Sequence, residues 1–97
     1  MKPTFLGKKF RGELFDFIIR IDKQKSVLQL FFSISKKHFN AVKRNTIKRR
    51  IKEFYRTQYP SLTGELHYFI RKPFSLSNKE ILRNAMNKSL EKIIEIK

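Results

Sequence analysis

Apolar and polar residues alternate along two early segments of the chain. In residues 14–21 (LFDFIIRI) the odd positions are apolar, whereas Asp16 and Arg20 lie on the other parity. In residues 27–35 (VLQLFFSIS) the even positions are apolar and Phe31 is on the polar side. A period of two predicts half-buried strands. The short polar turn between them (DKQKS) predicts that the second strand pairs antiparallel with the first.

The pattern then changes to a helical period. At about 100° per residue, one set of side chains falls within roughly a third of the circle and predicts a buried stripe. This set is Ile47, Ile51, Phe54 and Tyr55, with Gln58 in the same arc. The opposite side is cationic and consists of Asn45, Lys48, Arg49, Lys52 and Arg56. Pro60 and Gly64 are expected to end this helix.

Two further elements complete the predicted fold. Residues 66–70 (LHYFI) predict a short strand that runs into Arg71 and Lys72. Ser77 and Glu80 have the spacing of a capping box, which predicts the start of a terminal helix. The apolar positions of that helix are Ile81, Leu82, Ala85, Met86, Leu90, Ile93 and Ile94. Residues 1–97 are therefore expected to form a single domain with a modest core.

Composition narrows the class of protein. The formal charge is +15, so the folded surface repels itself unless a polyanion is the working partner. The chain has no cysteine, so no disulfide framework or cysteine-based zinc site is expected, and a cytoplasmic location is the default. No apolar run is long enough for a membrane span, and the amphipathic helices are expected to face a core rather than a lipid surface.

The histidines and acidic residues of the chain do not form a recognisable catalytic arrangement. His38 and His67 lie in different predicted elements, without a cysteine or a recognisable Ser and Asp arrangement nearby. A metal-dependent nuclease needs clustered carboxylates to hold Mg²⁺. Glu13 and Asp16 differ in parity, and the remaining acids are scattered. We therefore expect no catalytic residue and no metal site in the chain.

Nucleic-acid binding has better support. Residues 35–56 contain nine Lys or Arg and one acid, Glu53. An ordinary solvated helix face usually mixes charges, whereas Lys48 and Lys52 are i, i+4 neighbours that repel each other. Such a surface gains affinity by displacing the counterions of a polyanion.

The aromatic residues offer a second means of binding RNA. Ten Phe and three Tyr in so small a chain could stack on unpaired bases, although most are needed for the core. A stacking role is considered for Phe5, Phe10 and Phe31. Buried positions are predicted for Phe17, Phe32, Phe54 and Phe69.

Residues 33–56 (SISKKHFNAVKRNTIKRRIKEFYR) resemble the signature of the bacterial ribonuclease P protein component, which runs approximately S-V-S-K-K, N-A-V, R-N-R-I-K-R and R-E-A-F-R. GKKFR near the start and FIRKP later resemble other family segments in the same order. Thr46 replaces a usual motif arginine, with Lys43 and Arg50 as nearby candidates to compensate, and Phe31 replaces a frequent glycine. Residues 1–6 correspond to the family's N-terminal helix, whose aromatic residues help to line its substrate cleft.

The resemblance implies an α/β (α+β) two-layer sandwich with a central mixed sheet. Its βαβ crossover through the basic helix is expected to be left-handed, like that of the ribosomal-protein domain 2-like fold, although general rules favour the other hand. The implied function is that of the protein subunit of ribonuclease P, which with a catalytic RNA removes the 5′ leader of precursor tRNA. Mg²⁺ and the hydrolysis are expected mainly in the RNA subunit.

Site residues follow from the resemblance position by position. The expected contacts with the catalytic RNA are Arg44, Asn45, Lys48, Arg49, Lys52 and Arg56. The expected contacts with the leader of precursor tRNA are Ser35, Lys36, Lys37, Asn40, Arg71, Lys72 and Phe10. No obligatory protein partner is inferred. The alternatives are a small basic ribosomal or general RNA-binding protein and, less well supported, a stand-alone nuclease.

Overall fold

The computed structural model describes residues 7–96, except for the side chain of Ile96; the predicted stacking residue Phe5 lies outside this range. Two helices and a four-stranded mixed sheet with the order β1-β2-β4-β3 form an α+β fold. The strands are β1 (Lys8–Phe10), β2 (Asp16–Ile21), β3 (Leu28–Ile34) and β4 (Gly64–Ile70). The helices are α1 (Ala41–Gln58) and α2 (Lys79–Ile96). Neither helix is long and apolar enough to cross a membrane within these residues.

The core lies on one face of the sheet, where both helices pack. Alternate residues of β4 are buried, and their register partners on β2 and β3 are apolar. The main buried side chains are Phe17, Ile19, Leu66, Tyr68 and Ile70 from the sheet, Ile47, Ile51 and Tyr55 from α1, and Leu82, Met86 and Ile93 from α2. The period-two and period-3.6 predictions are confirmed for these side chains. Ile94, which was predicted on the apolar stripe of α2, is instead 55% exposed. Neither α1 nor α2 packs on the other face of the sheet, where Glu65, His67 and Phe69 of β4 are only half-buried.

The predicted hairpin between the first two long strands is wrong. β2 and β3 do run in opposite directions, but β4 lies between them, antiparallel to β2 and parallel to β3. β4 therefore has a paired strand on each edge, and its buried residues from Gly64 to Ile70 lie at the centre of the sheet. Helix α1 connects the end of β3 to the start of β4, which allows β4 to pair parallel with β3 at the centre of the sheet. The prediction also missed β1, a three-residue edge strand paired with β2.

Helix α1 begins at a side-chain cap. The side-chain oxygen of Asn40 accepts a hydrogen bond from the backbone N–H of Lys43 at 2.8 Å, which satisfies one of the free donors of the first turn. Ile47, Ile51 and Tyr55 are buried as predicted, and Phe54 is half-buried against the core. Gln58, which shares their arc, is the last residue of α1 and is exposed.

The cap of α2 differs from the predicted capping box. The side-chain oxygen of Asn78, rather than that of Ser77, accepts the backbone N–H of Glu80 at 3.1 Å. The Ser77 hydroxyl instead lies 2.7 Å from that of Ser75. An asparagine next to the helix can satisfy the same free donor as a serine, so the helix starts one residue later than predicted.

Gly64 begins β4 in a backbone conformation that other residues rarely adopt. Its φ is +131°, and a Cβ added there would lie 2.2 Å from the carbonyl oxygen of Arg20. Its N–H donates to the carbonyl oxygen of Val27 at 3.2 Å. Glycine therefore allows the chain to enter the sheet between β2 and β3.

A pair of buried hydroxyl groups joins α1 to the sheet. The hydroxyls of Tyr55 and Tyr68 are hydrogen-bonded, and both side chains are almost inaccessible to solvent. Burial raises the pKa of both phenols, so both are neutral. The Ser89 hydroxyl of α2 donates to the carbonyl oxygen of Ala85 at 3.0 Å, and it lies close enough to the Tyr68 phenol to offset part of the rise in its pKa. This polar contact fixes the rotation of α1 relative to β4.

Tyr68→Phe is expected to destabilise the fold more than Tyr55→Phe. Loss of the Tyr68 hydroxyl leaves Tyr55 with a buried, unpaired hydroxyl, at a cost of about 1–3 kcal/mol. Loss of the Tyr55 hydroxyl leaves Tyr68 next to the Ser89 hydroxyl, which can still accept a hydrogen bond while it donates to Ala85. Urea unfolding of both variants and of the double variant measures the difference. A greater loss of stability in Tyr55→Phe would contradict this account.

Candidate nucleic-acid interface

The outer face of α1 forms a shallow cationic groove. Its volume is about 320 Å³. The side chains that line this α1 groove are Asn45, Lys48, Arg49, Lys52, Glu53 and Arg56. The stripe that packs on the sheet turns these side chains outward: Lys48 is half-buried and the other five are exposed. Five of the six side chains predicted to contact a catalytic RNA therefore lie together on one surface.

Most of the charge in the α1 groove is not neutralised by the chain itself. Arg56 pairs with Glu53, one turn away, and both side chains are exposed. Within residues 7–96, no ion pair involves Lys48, Arg49 or Lys52. The groove can therefore offer three unpaired cations to phosphate groups.

Two arginines of α1 bind the protein's own backbone. Arg44, predicted to contact RNA, is half-buried and donates from Nη1 to the carbonyl oxygen of Phe39 at 2.8 Å. Arg50 donates from Nη1 to the carbonyl oxygen of Leu76 at 3.0 Å, which ties α1 to the segment before α2. The Thr46 hydroxyl donates back to Val42. Two residues were named as candidates to replace the motif arginine that Thr46 lacks. Lys43 is exposed, whereas Arg50 is already bound to the Leu76 carbonyl.

A second cluster lies where β3 and β4 end. Because these strands are parallel, their carboxyl ends meet at one edge of the sheet, and the N–H of Ser35 donates to the carbonyl oxygen of Ile70 at 2.9 Å. This pairing brings together six of the residues predicted to contact a leader. We call this strand-end cluster Ser35, Lys36, Lys37, Asn40, Arg71 and Lys72. All but Ser35 are exposed, and the Asn40 oxygen also caps α1.

The uncovered face of the sheet carries aromatic rings next to this cluster. The rings of His67 and Phe69 are stacked, with centroids 4.2 Å apart and planes 13° apart. The guanidinium of Arg71 lies over Phe69, 5.4 Å from the ring centroid. Phe31, on the neighbouring strand, is 6.0 Å from His67, and the Ser33 hydroxyl lies 2.9 Å from His67 Nε2. These five side chains are the aromatic platform.

Phe10 does not join the aromatic platform. It pairs in register with Phe17 and stacks on it with centroids 5.0 Å apart, so it faces the helices. Phe10 was predicted to lie near the other leader contacts, but it lies on the opposite face of the sheet. Period two explains the difference, because neighbours on β1 alternate between the two faces of the sheet.

One member of the platform was misplaced from sequence: Phe69 was predicted to be buried, but it is half-buried on the open face. His67 was considered only as a catalytic residue, so its place among these rings was not predicted. The register of β4 decides both positions, because Leu66, Tyr68 and Ile70 occupy the core face. The alternation within residues 64–70 was the available signal, but all of those side chains except Glu65 and His67 are apolar or glycine.

Charge is distributed unevenly along the open face. At the start of β4, Glu65 accepts from Arg20 at 3.1 Å and from Lys25 at 3.3 Å. Hydrogen bonding from Arg20, reinforced by Lys25, holds the pKa of the Glu65 carboxyl below its ordinary value. At the other end, neither Arg71 nor Lys72 forms an ion pair with any residue in the 7–96 range. The positive charge that the described residues do not neutralise therefore lies at the end of the open face near α1.

Comparison with known proteins gives this surface a context. The family model described as Ribonuclease P matches residues 6–94. The chain belongs to the ribonuclease P protein family. Proteins of this family are subunits of an RNA-processing enzyme, and the family match includes both the α1 groove and the strand-end cluster.

Individual family members agree with this assignment. The ribonuclease P protein component of Macrococcus caseolyticus is 33% identical over 91 residues, which cover 93% of this chain and 76% of that protein. That of Desulforapulum autotrophicum is 31% identical over 77 residues, which cover 76% of this chain and 65% of that protein. The Staphylococcus aureus RNase P protein superposes with a TM-score of 0.73 at 27% identity, over 90% of this chain and 81% of that one.

His67 is expected to make stability depend on pH. Burial lowers the pKa of its imidazole below the ordinary 6.5, so the unfolded chain takes up the proton first as the pH falls. The stability that the neutral ring contributes is present above about pH 6.5 and is lost as the pH falls from there towards the lowered pKa. Between pH 7.5 and 5.5, Tm should therefore fall more in the parent chain than in His67→Asn.

The matched control is His38→Asn, which replaces an exposed histidine. It should retain the pH dependence of the parent chain. Equal slopes of Tm against pH for the parent and His67→Asn would remove His67 as the source of the effect.

Proposed function

We propose that this chain is the protein subunit of a bacterial, cytoplasmic ribonuclease P, which binds a catalytic RNA and the 5′ leader of precursor tRNA. The observation that carries the proposal is the cationic α1 groove, whose three unpaired cations belong to a helix that matches the family. Membership of the ribonuclease P family supports the assignment to tRNA processing.

The α1 groove is assigned to the catalytic RNA. Lys48, Arg49 and Lys52 would bind phosphates, and Asn45 supplies an amide for hydrogen bonds to phosphate or sugar. Arg56 would add to this RNA-binding surface if its guanidinium left the ion pair with Glu53 and bound a phosphate instead. Arg44, held on the Phe39 carbonyl, is assigned a smaller direct contribution than the resemblance implies, because its guanidinium also serves the fold.

The strand-end cluster is assigned to the single-stranded leader. Lys36, Lys37, Arg71 and Lys72 would follow its backbone, with Ser35 and Asn40 as hydrogen-bonding groups. The aromatic platform lies beside them, and stacking on rings tolerates different bases, as a leader of variable sequence requires. Phe10 is left out of this path because it faces the helices.

Hydrolysis is assigned to the RNA partner. No group of three His, Asp or Glu side chains suited to a metal ion occurs in the part of the chain that the structure describes. The Mg²⁺ of the holoenzyme would therefore be held mainly by RNA, and this chain would supply binding and charge neutralisation. No obligatory protein partner is proposed. A small ribosomal or general RNA-binding protein remains the alternative reading of the same charge.

Reconstitution tests the assignment. Together with a cognate ribonuclease P RNA, the chain should lower the Mg²⁺ concentration needed to remove the leader of a precursor tRNA. Failure to rescue cleavage at low Mg²⁺ would favour the general RNA-binding alternative. Cleavage by the purified chain without RNA would instead indicate a stand-alone nuclease.

Lys48→Ala and Arg49→Ala should each weaken binding to the catalytic RNA and make it less dependent on salt. Each lost phosphate contact should reduce the slope of log K against log salt concentration by about one unit. Filter binding at several salt concentrations measures this slope. Lys23→Ala removes an exposed charge from the turn between β2 and β3 and serves as the control. Unchanged slopes in both α1 variants would exclude the groove from the interface.

Arg71→Ala should reduce affinity for precursor tRNA more than affinity for mature tRNA, each measured in complex with the catalytic RNA. The physical reason is that only the precursor has a leader to lie along the strand-end cluster. Lys52→Ala is the matched comparison, because a contact with the catalytic RNA should affect both complexes equally. Equal losses for precursor and mature tRNA in Arg71→Ala would refute the leader assignment.

A further inference from the structure

A second groove lies at the other end of the helical layer, between α2 and the connection from β1 to β2. Its volume is about 560 Å³, within the range of small-ligand sites. The floor is apolar and includes the buried rings of Phe15 and Phe17 with the side chains of Leu14, Ile81 and Ala85. The polar rim consists of Arg11, Glu13, Asn84, Lys88 and Lys92. We call this the α2 groove.

Cations converge beside this groove. Two lysines lie over the ring of Phe10, which itself stacks on Phe17 in the floor of the groove. The ammonium groups of Lys8 and Lys92 lie 5.8 and 6.0 Å from the centroid of the Phe10 ring. Neither lysine forms an ion pair with another residue from 7 to 96. Two like charges held near one ring repel each other, and a bound anion would relieve that repulsion.

The carboxylates near the α2 groove do not balance these charges. Glu13 lies 3.9 Å from Lys88, and the two side chains are 92% and 73% exposed, so this pair is weak. Glu91 and Glu95 are exposed on α2 and form no ion pair with the described residues. Arg11, Lys88, Lys92 and neighbouring Lys8 thus leave a net positive rim around an apolar floor.

We propose that the α2 groove binds a nucleotide of a single-stranded RNA segment. The base would lie on the apolar floor, and the phosphates on either side would contact Lys88, Lys92 and Arg11, with Asn84 available to hydrogen-bond a base edge. An apolar floor with a cationic rim suits a nucleotide, since unpaired bases bind by stacking and their backbone by charge.

This groove is separate from both surfaces assigned above. β1 and β3 are opposite edges of the sheet, three strand spacings or about 14 Å apart. Helix α1 contacts β3, whereas the α2 groove adjoins β1 and β2. The chain would therefore hold a third RNA segment in addition to the catalytic RNA and the leader, which extends the proposed function and can fail independently of it.

The test compares two double variants with the same loss of charge on one helix. Lys88→Ala/Lys92→Ala changes the rim, whereas Lys79→Ala/Arg83→Ala changes exposed positions of α2 that do not line the groove. Fluorescence anisotropy with a ten-nucleotide oligouridylate and with an abasic strand of equal length measures affinity. The rim variant should bind oligouridylate about threefold more weakly than the Lys79→Ala/Arg83→Ala variant in 0.1 M salt and lose part of its preference for it over the abasic strand, because the aromatic platform still stacks bases.

Nuclear magnetic resonance with uridine monophosphate locates the contact. The methyl signals of Ile81 and Ala85 should shift in the parent chain and in Arg49→Ala/Lys52→Ala, but not in Lys88→Ala/Lys92→Ala. Equal weakening of oligouridylate binding in both α2 double variants, or methyl signals that do not move, would overturn the proposal. Rescue of cleavage at low Mg²⁺ would still report on the proposed function alone.

Discussion

The structure depends on the packing of one side of α1 against the sheet. Ile47, Ile51 and Tyr55 are buried there, and the hydroxyl contact between Tyr55 and Tyr68 adds a directional constraint to an otherwise non-directional apolar contact. Once that side is fixed, the 3.6-residue period places Arg49, Lys52 and Arg56 in solvent. The cationic surface of the helix is therefore a geometric consequence of its apolar stripe.

The parallel pairing of β3 and β4 organises the rest of the surface. Strands that run in the same direction end at the same edge, so the residues after Ile34 and after Ile70 become neighbours although about 36 positions separate them in the chain. Helix α1 starts from the same edge at the Asn40 cap. The α1 groove and the strand-end cluster therefore begin at one place. The two contacts that we propose, with a folded RNA and with a single strand emerging from it, would therefore be adjacent.

Local periodicity predicted most of the elements and both faces of α1. It could not predict which strands are neighbours, because a hairpin between β2 and β3 and the observed insertion of β4 satisfy the same alternation. The Phe69 side chain was misplaced for a related reason: residues 68–70 (YFI) interrupt the alternation that Glu65 and His67 begin, and there only the register decides which residues face the core. The roles of Arg44 and Arg50 depend on the Phe39 and Leu76 carbonyls, which no sequence pattern identifies.

The central claim is that the outer face of α1 meets the catalytic RNA, and the absence of cysteine from the sequence makes a direct measurement possible. An iron chelate attached to a single cysteine generates hydroxyl radicals that cleave nearby RNA. Glu53→Cys places the chelate in the α1 groove without removing a cation, and Gln24→Cys places it in the exposed turn between β2 and β3. The account predicts localised cleavage of the catalytic RNA from position 53 and much weaker cleavage from position 24. Equal cleavage from both positions, or none from position 53 in a complex that is fully bound, would contradict it.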